Sequence, residues 1–307
     1  MINTTLKILD LTCSIVLYKT DRKELLNVLT CLLATKLQIR VFLVDNSPTS
    51  VLSDVAEIDN RIEYIFNNAN LGYGAAHNIA IIRAKNIGKY HLILNADVEF
   101  ETQILEKAYE YMQNNDDVGL LSPKVNSPEG ELLFFCRMLP TPFDLFARRF
   151  LPSFVKSIFK EKLENYLMLY SDYSRPMNIP NLSGCFMFTR TSALIKVDGF
   201  DENFFMYVED VDLTRRLFQF TKCVYYPEIS IVHGLARGSA KFSMLMVYHI
   251  KSAVYYFTKW GWFGDKERRV INSKLLKEYS NRQMDNGTIK NEFSPTKEAI
   301  LHTEELI

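Results

Sequence analysis

Short apolar runs alternate along the chain with stretches whose apolar residues recur every three or four positions. Cys13-Ser14-Ile15-Val16-Leu17-Tyr18 is rich in β-formers and predicts a strand. From Asp21 to Leu33 the residues Leu25, Leu26, Leu29, Leu32 and Leu33 keep helical spacing. Arg40-Val41-Phe42-Leu43-Val44 predicts a second strand, ending on Asp45-Asn46-Ser47-Pro48, and Ile62-Glu63-Tyr64-Ile65-Phe66 a third. A glycine-containing loop at Asn70 to Gly74 leads into a helix expected from about Ala75 to Lys85. His91-Leu92-Ile93-Leu94 reads as a buried strand that runs straight into Asn95-Ala96-Asp97. Strands alternating with helices predict βαβ units, hence an α/β fold with a mostly parallel central sheet. In such sheets ligands sit beyond the carboxyl ends of the strands. Asp45, the Asn70 loop and Asp97 fall at those ends.

Further along, Glu209-Asp210-Val211-Asp212 opens a helix-like stretch that closes on Arg215-Arg216-Leu217, and an apolar strand ends at His233. Two longer apolar stripes at helical spacing follow a different logic. One runs through positions 143, 146, 147, 150, 151, 154, 155, 158 and 159, with Pro152 expected to divide it into two helices. The other runs through Phe242, Leu245, Met246, His249, Ile250, Ala253, Val254 and Phe257 and continues to Trp260, Trp262 and Phe263. From about Asp265 the chain turns polar and charged, and 266–307 reads as a short helix fading into a flexible tail.

Composition narrows the class. With 307 residues, 48% hydrophobic and 23% charged, the chain builds a sizeable core, and wholesale disorder is excluded. Lys+Arg and Asp+Glu both number 36, so a nucleic-acid binder working by bulk charge is not expected. Cys13, Cys31, Cys136, Cys185 and Cys223 form no CxxC pair, which fits a reduced, cytosolic compartment better than a disulfide framework or a zinc site. The start, MINTTLKILD, lacks a signal peptide's apolar stretch, and no apolar run reaches spanning length. Neither secretion nor a transmembrane span is predicted. No HExxH, GxSxG, P-loop or GxGxxG occurs.

The acids carry the candidate chemistry. Asp97, emerging at a sheet edge, suits a hard divalent cation whose other ligands are phosphate and water; a strand-end turn explains the same tripeptide equally well. Glu209, Asp210 and Asp212 suit the first turn of a helix through its dipole alone. Three acids in four residues also repel one another, which raises at least one pKa and equips it as a general base for a sugar hydroxyl. His233 by itself reads as a structural histidine.

In combination these segments are more specific. Tyr18, VDNS at 44–47, NLGYGAAHN at 70–78, LNAD at 94–97, SGCFMFTR at 183–190, GFDENFFMYVEDVDLTRRL at 199–217 and His233 occur in that order. The chain thereby resembles the inverting glycosyltransferases of family 2, which have a GT-A nucleotide-sugar-binding fold, over roughly residues 12–240. Within that family it is most similar to bacterial O-antigen rhamnosyltransferases. The resemblance implies a dTDP-L-rhamnose donor, a polyprenyl-diphosphate-linked sugar acceptor and a divalent metal, Mg or Mn. It implies that Tyr18 and Asp45 contact the base, and that Asn70, Gly72, His77, Asn78 and Asn95 lie near the nucleotide and its diphosphate. Gly184 approaches the donor sugar and acceptor; Asp97 and His233 hold the metal. Asp210 is the implied catalytic base, with Glu209, Asp212 and Arg216 shaping its surroundings. One departure matters: Asn-Ala-Asp stands where many relatives have Asp-x-Asp, so a single carboxylate serves the metal motif. The implied division is a catalytic domain over 1–240, with a donor half at about 10–100, an acceptor half at about 101–240 and an amphipathic insertion at about 140–170. A membrane-proximal helix at 241–265 and the polar 266–307 follow. A UDP-hexose or UDP-GlcNAc donor on the same fold is the nearest rival, and a catalytically silent sugar-nucleotide scaffold the next.

The amphipathic stripes bear on where such a protein works. Between Phe134 and Lys162 stand six basic residues (Arg137, Arg148, Arg149, Lys156, Lys160, Lys162) and two acids, Asp144 and Glu161. From Ile229 to Gly264 there is no acid, while Arg237, Lys241, Lys251 and Lys259 are present. Basic amphipathic helices with aromatic ends suit a bilayer headgroup region. Such helices also commonly face their own core, and dimerisation through the same faces competes. The expectation is a peripheral protein on the cytoplasmic face of a bacterial plasma membrane.

Overall fold

The structure is a computed structural model that describes residues 8–147, 160–234 and 244–284. Its centre is β1 (Leu9–Leu17), flanked by β2 (Ile39–Asp45) and β4 (Gly88–Leu94), with β3 (Ile62–Phe66) beyond β2; all four run parallel. Every other residue of β1 from Leu11 to Leu17 is an apolar side chain with no exposure. Its other face is covered as well, so the intervening Thr12 and Ser14 must find partners indoors. They do so on two buried imidazoles: Thr12 Oγ1 lies 2.8 Å from His91 Nδ1, and Ser14 Oγ lies 2.9 Å from His91 Nε2 and 2.7 Å from His77 Nδ1.

The sheet continues in the order β3-β2-β1-β4-β10-β6-β11-β5, where β5 is Val98–Phe100, β6 Val118–Asn126, β10 Phe186–Arg190 and β11 Lys222–His233. β10 enters antiparallel between β4 and β6, while β6 and β11 are parallel to each other. The short β8 (Met177–Asn178) adds to β11, and β7 (Cys136–Arg137) pairs with β9 (Asn181–Leu182) apart from the main sheet. This is the α/β fold with a mostly parallel sheet that the sequence predicts. Two registers position the site. Leu94 pairs with Phe186, which sets Asn95 against Cys185 (Asn95 N donates to Cys185 O, 3.0 Å). His233 pairs with Val98, which sets Asp97 against His233.

Helices cover both faces. α1 (Arg22–Leu33), capped by Asp21 through the amides of Lys23 and Glu24, and α3 (Ile104–Asn114) bury Leu25, Leu29, Leu105 and Met112 on one side. α2 (Tyr73–Ala84), α5 (Thr191–Lys196) and α6 (Glu209–Phe218) bury Ile81, Leu194, Leu213 and Leu217 on the other, with the shorter α4 (Lys160–Tyr166) adding Tyr166. α2 begins two residues before the expected Ala75, because Gly72 at φ +89° turns the chain and Tyr73 N donates to Phe205 O. A Cβ at position 72 would stand 2.3 Å from that same carbonyl, so glycine is required there twice over.

The C-terminal helices α7 (Met244–Trp260) and α8 (Lys266–Met284) dock on this second face. Arg215 of α6, 1% exposed, donates to Asp265 at 2.7 and 2.9 Å and to Glu267 at 2.9 Å, with the Trp260 ring 4.0 Å from its guanidinium carbon. α8 runs for 19 residues and inserts Leu275 and Tyr279 into the second core. Of the first amphipathic stripe, Phe143–Ala147 forms one π-helical turn; positions 150 to 159, with Arg148, Arg149, Lys156 and the break expected at Pro152, lie outside the described residues, as do Arg237, Lys241 and Phe242. Among the described residues no helix is long and apolar enough to cross a membrane, and the five cysteines are free.

Candidate active site

Where the end of β4 meets the start of β10, a cavity of about 230 Å³ opens, lined among others by Tyr73, Asn95, Arg137, Gly184, Glu209, Asp210 and His233. Its acids arrive by an unusual backbone path. Tyr207 and Val208 both adopt φ +68°, a left-handed conformation that costs an aromatic or β-branched residue roughly 1–2 kcal/mol each. This turn starts α6 so that Glu209 and Asp210 face the cavity at the positive end of the helix. Asp210 Oδ2 accepts from Gly184 N (3.0 Å) and Oδ1 from Val211 N (2.8 Å), which fixes the carboxylate.

A chain of polar contacts leads from the Gly184 loop beside Asp210 to Asp97. Tyr73 Oη lies 2.9 Å from both Gly184 O and Asn95 Oδ1, so its one proton bridges the two loops. Asn95 Nδ2 lies 3.3 Å from His233 Nε2, and His233 Nε2 lies 3.5 Å from Asp97 Oδ1. Burial pushes Asp97 up, opposed by His233, and pushes His233 down, opposed by Asp97. Burial raises Glu209 to about 8, reinforced by Asp210. Asp210 is raised by burial as well, held back by Arg137 and by the two amides it accepts from. Burial, more than the mutual repulsion expected from the sequence, is the main cause of both shifts.

Beside the cavity, the ends of β1, β2 and β3 form a shelf. Asp45 is fully buried; its Oδ1 accepts from Ser47 N (2.7 Å) and its Oδ2 from Tyr64 Oη (2.5 Å). Asn46 donates to Gly72 O (3.0 Å) and accepts from Asn67 (2.8 Å), while Asn70 Oδ1 accepts from Gly72 N (3.1 Å). Tyr18 is exposed at the edge of this shelf. Thus Tyr18, Asp45, Asn70 and Gly72 are brought together, and Asn95, His233, Gly184, Glu209 and Asp210 line the cavity, with Asp97 outside the lining but beside His233.

Four expected residues, His77, Asn78, Asp212 and Arg216, point elsewhere. His77 is buried under Tyr73 and Phe200, at ring distances of 4.4 and 5.8 Å. Asn78 bonds Phe200 N, Phe200 O and Glu202, tying α2 to the following loop. Asp212 accepts from Arg216 (2.7 Å), Trp260 Nε1 (2.7 Å) and Lys259 (2.8 Å), a cluster on the far side of α6. None of the four lines the cavity. Conversely, Arg137 is 5% exposed and lines the cavity, so it does not belong to the basic surface patch in which the sequence places it. Tyr73 and Asn46 also gain roles no local pattern announces, although Tyr73 sits in the GYG loop already singled out.

Among the described residues no group of three or more His, Cys, Asp or Glu gathers around one point. Asp97 and His233 make a two-residue donor set, one oxygen and one imidazole, within reach of a common ion.

Residues 13–198 match the family model Glycosyl transferase family 2. The chain is 27% identical over 263 residues to N-acetylglucosaminyl-diphospho-decaprenol L-rhamnosyltransferase of Mycobacterium tuberculosis, covering 79% of this chain and 83% of that protein. It is 26% identical over 231 residues to rhamnosyltransferase WbbL of Escherichia coli, covering 72% and 82%. Among solved structures, GalNAc-T7 with UDP, GalNAc and Mn2+ superimposes with a TM-score of 0.58 at 12% identity, over 91% of this chain and 58% of that one. The fold is the expected GT-A type.

Proposed function

The chain belongs to glycosyl transferase family 2, and on that premise we propose that it transfers L-rhamnose from dTDP-L-rhamnose to a polyprenyl-diphosphate-linked sugar, with inversion. The observation that carries this reading is the Asp210 carboxylate, half-buried at the head of α6, facing the cavity and fixed by two backbone amides. Asp210 takes the proton of the acceptor hydroxyl as the oxygen attacks the anomeric carbon; the nucleoside diphosphate leaves from the opposite face. One displacement turns a β-L-linked donor into an α-L-rhamnoside, and no covalent intermediate forms on the protein. The raised pKa suits a base working near neutral pH. Glu209, held largely neutral beside it, keeps a second negative charge away from the reacting centre.

Tyr18 and Asp45 are assigned to the base of the donor, and Asn70 and Gly72 to its sugar and diphosphate side. Asp97 and His233 would hold a divalent ion, Mg or Mn, which supplies charge neutralisation on the leaving diphosphate. With two protein donors among the described residues, the remaining coordination would be left to the donor's diphosphate. The donor half then spans about 10–100 and the acceptor half about 101–240. A UDP-sugar donor is the second reading, favoured by the UDP bound in the structural neighbour GalNAc-T7. Trp262 and Phe263, 36% and 81% exposed, together with Val247 and Val254 of α7, are assigned to contact with the membrane surface that carries the acceptor.

A thermal-shift panel of dTDP-, UDP-, GDP- and CMP-sugars with and without Mg2+ or Mn2+, followed by transfer to a diphosphate-linked GlcNAc lipid, tests the reading. dTDP-L-rhamnose is expected to give the largest metal-dependent rise. Asp210→Asn is expected to keep that rise while transferring roughly 10²–10⁴-fold more slowly. A larger rise with a UDP-sugar moves the assignment to that donor, and unchanged transfer by Asp210→Asn removes Asp210 as the base. Donor binding without any transfer by the native protein favours a scaffold.

A further inference from the structure

The cavity contains a cation to which the transfer reaction described above gives no task. Arg137 on β7 is 5% exposed, yet its Nε is buried without an acceptor, and among the described residues its guanidinium makes no hydrogen bond or ion pair. The Phe135 ring lies 5.4 Å from its guanidinium carbon. Among the described residues the other two buried arginines behave differently. Arg215 donates to Tyr256, Asp265 and Glu267, and Arg268 donates to the carbonyls of Pro140, Gly261 and Trp262. A buried guanidinium left without acceptors is costly. It is tolerated where a ligand supplies them, and its planar fork suits the paired oxygens of a phosphate.

Position selects which phosphate. The nucleotide shelf is built from the ends of β1, β2 and β3, whereas Arg137 enters on β7, which pairs with β9 just before the Ser183–Cys185 loop. It reaches the cavity from the acceptor half, and its charge acts on Asp210. The cavity lining also includes Leu145, Tyr166 and Met206, which add apolar surface to the guanidinium. A diphosphate that continues into a hydrocarbon chain matches that pairing; the diphosphate of a nucleotide does not. We propose that Arg137 is a specificity-determining residue that binds the diphosphate of the lipid-linked acceptor, with Leu145, Tyr166 and Met206 receiving its first isoprenoid carbons. This rests on the acceptor class given under Proposed function.

Calorimetric titration of the full chain with geranyl diphosphate, in saturating dTDP and Mg2+, tests the site with the donor's place already filled. The native protein is expected to bind, Arg137→Gln to bind at least about 30-fold more weakly, and Arg137→Lys to fall between, since lysine keeps the charge and loses the fork. A retained dTDP-sugar thermal shift shows that both variants fold. Equal affinity in all three proteins, or no binding by the native one, overturns the proposal. In transfer, the preference in kcat/KM for a diphosphate-linked GlcNAc lipid over an alkyl GlcNAc glycoside is expected to collapse by a similar factor in Arg137→Gln. If both acceptors fall together, Arg137 serves the base or the donor and the proposal fails. If no acceptor is glycosylated while Arg137-dependent geranyl diphosphate binding persists, the transfer reading fails and this site stands.

Discussion

Glu209, Asp210 and Asp212 share one helix turn and occupy three different environments. Asp212 is neutralised by Arg216 and Lys259 on one side of α6; Asp210 is fixed by amides; Glu209 has a buried Oε2 without a partner. The consequence is measurable. Glu209 is pushed from an ordinary 4.5 to about 8, so between those values the folded state keeps a proton that the unfolded state has released. Stability contributed by that proton is therefore present at low pH and lost as pH rises toward 8. Glu209→Gln, which mimics the protonated acid, is expected to unfold like the native protein near pH 5. Near pH 8.5 it is expected to melt higher by about 2–4 °C, the shift that 1 kcal/mol gives in a protein of comparable size. Melting curves at the two pH values check this, and an equal offset at both would refute it. That the three acids cluster is legible in the sequence. Which of them faces the cavity is not, because it depends on the left-handed turn at Tyr207 and Val208.

At the scale of elements, α6 holds the Glu209–Asp210 turn at one end and the C-terminal helices along its length. Arg215 and Asp265 form an ion pair in which neither partner is more than 3% exposed. Removing one partner of such a pair strands the other charge. Arg215→Met is expected to cost about 3–5 kcal/mol in urea unfolding. Adding Asp265→Asn, which retains an acceptor for Arg268 N, is expected to recover most of it. If the double variant is no better than the single, the loss comes from packing against Trp260 and Tyr256. The α1, α2 and β1–β4 elements follow directly from the spacing of their apolar residues. α8 does not, since its apolar residues form no clean stripe and its docking depends on Leu275 and Tyr279 meeting a core built by other segments.

For the whole molecule, the shelf with Tyr18 and Asp45 and the Asp97–His233 pair lie at strand ends, and the exposed Trp262 and Phe263 follow α7. The assigned membrane contact predicts that the protein floats with anionic vesicles and less with neutral ones. Phe263→Glu is expected to lower the bound fraction at least about 10-fold, the worth of one buried aromatic side chain. Failure to float, with a stable dimer in sedimentation, would assign these apolar faces to a second copy instead.

The sequence by itself determined the α/β class, the parallel strands β1–β4, the acids at their ends and the helix that carries Asp210. Each of these rests on a local pattern, an apolar period or a polar residue just past a strand, and local patterns are written in the chain. The tertiary structure alone decided that Asp97 meets His233, through the pairing of β5 with β11. It alone moved Arg137 from an apparent basic surface into the cavity, and turned His77, Asn78 and Asp212 to packing. Strand register and burial arise from contacts between segments distant in the chain, and no spacing within one segment encodes them.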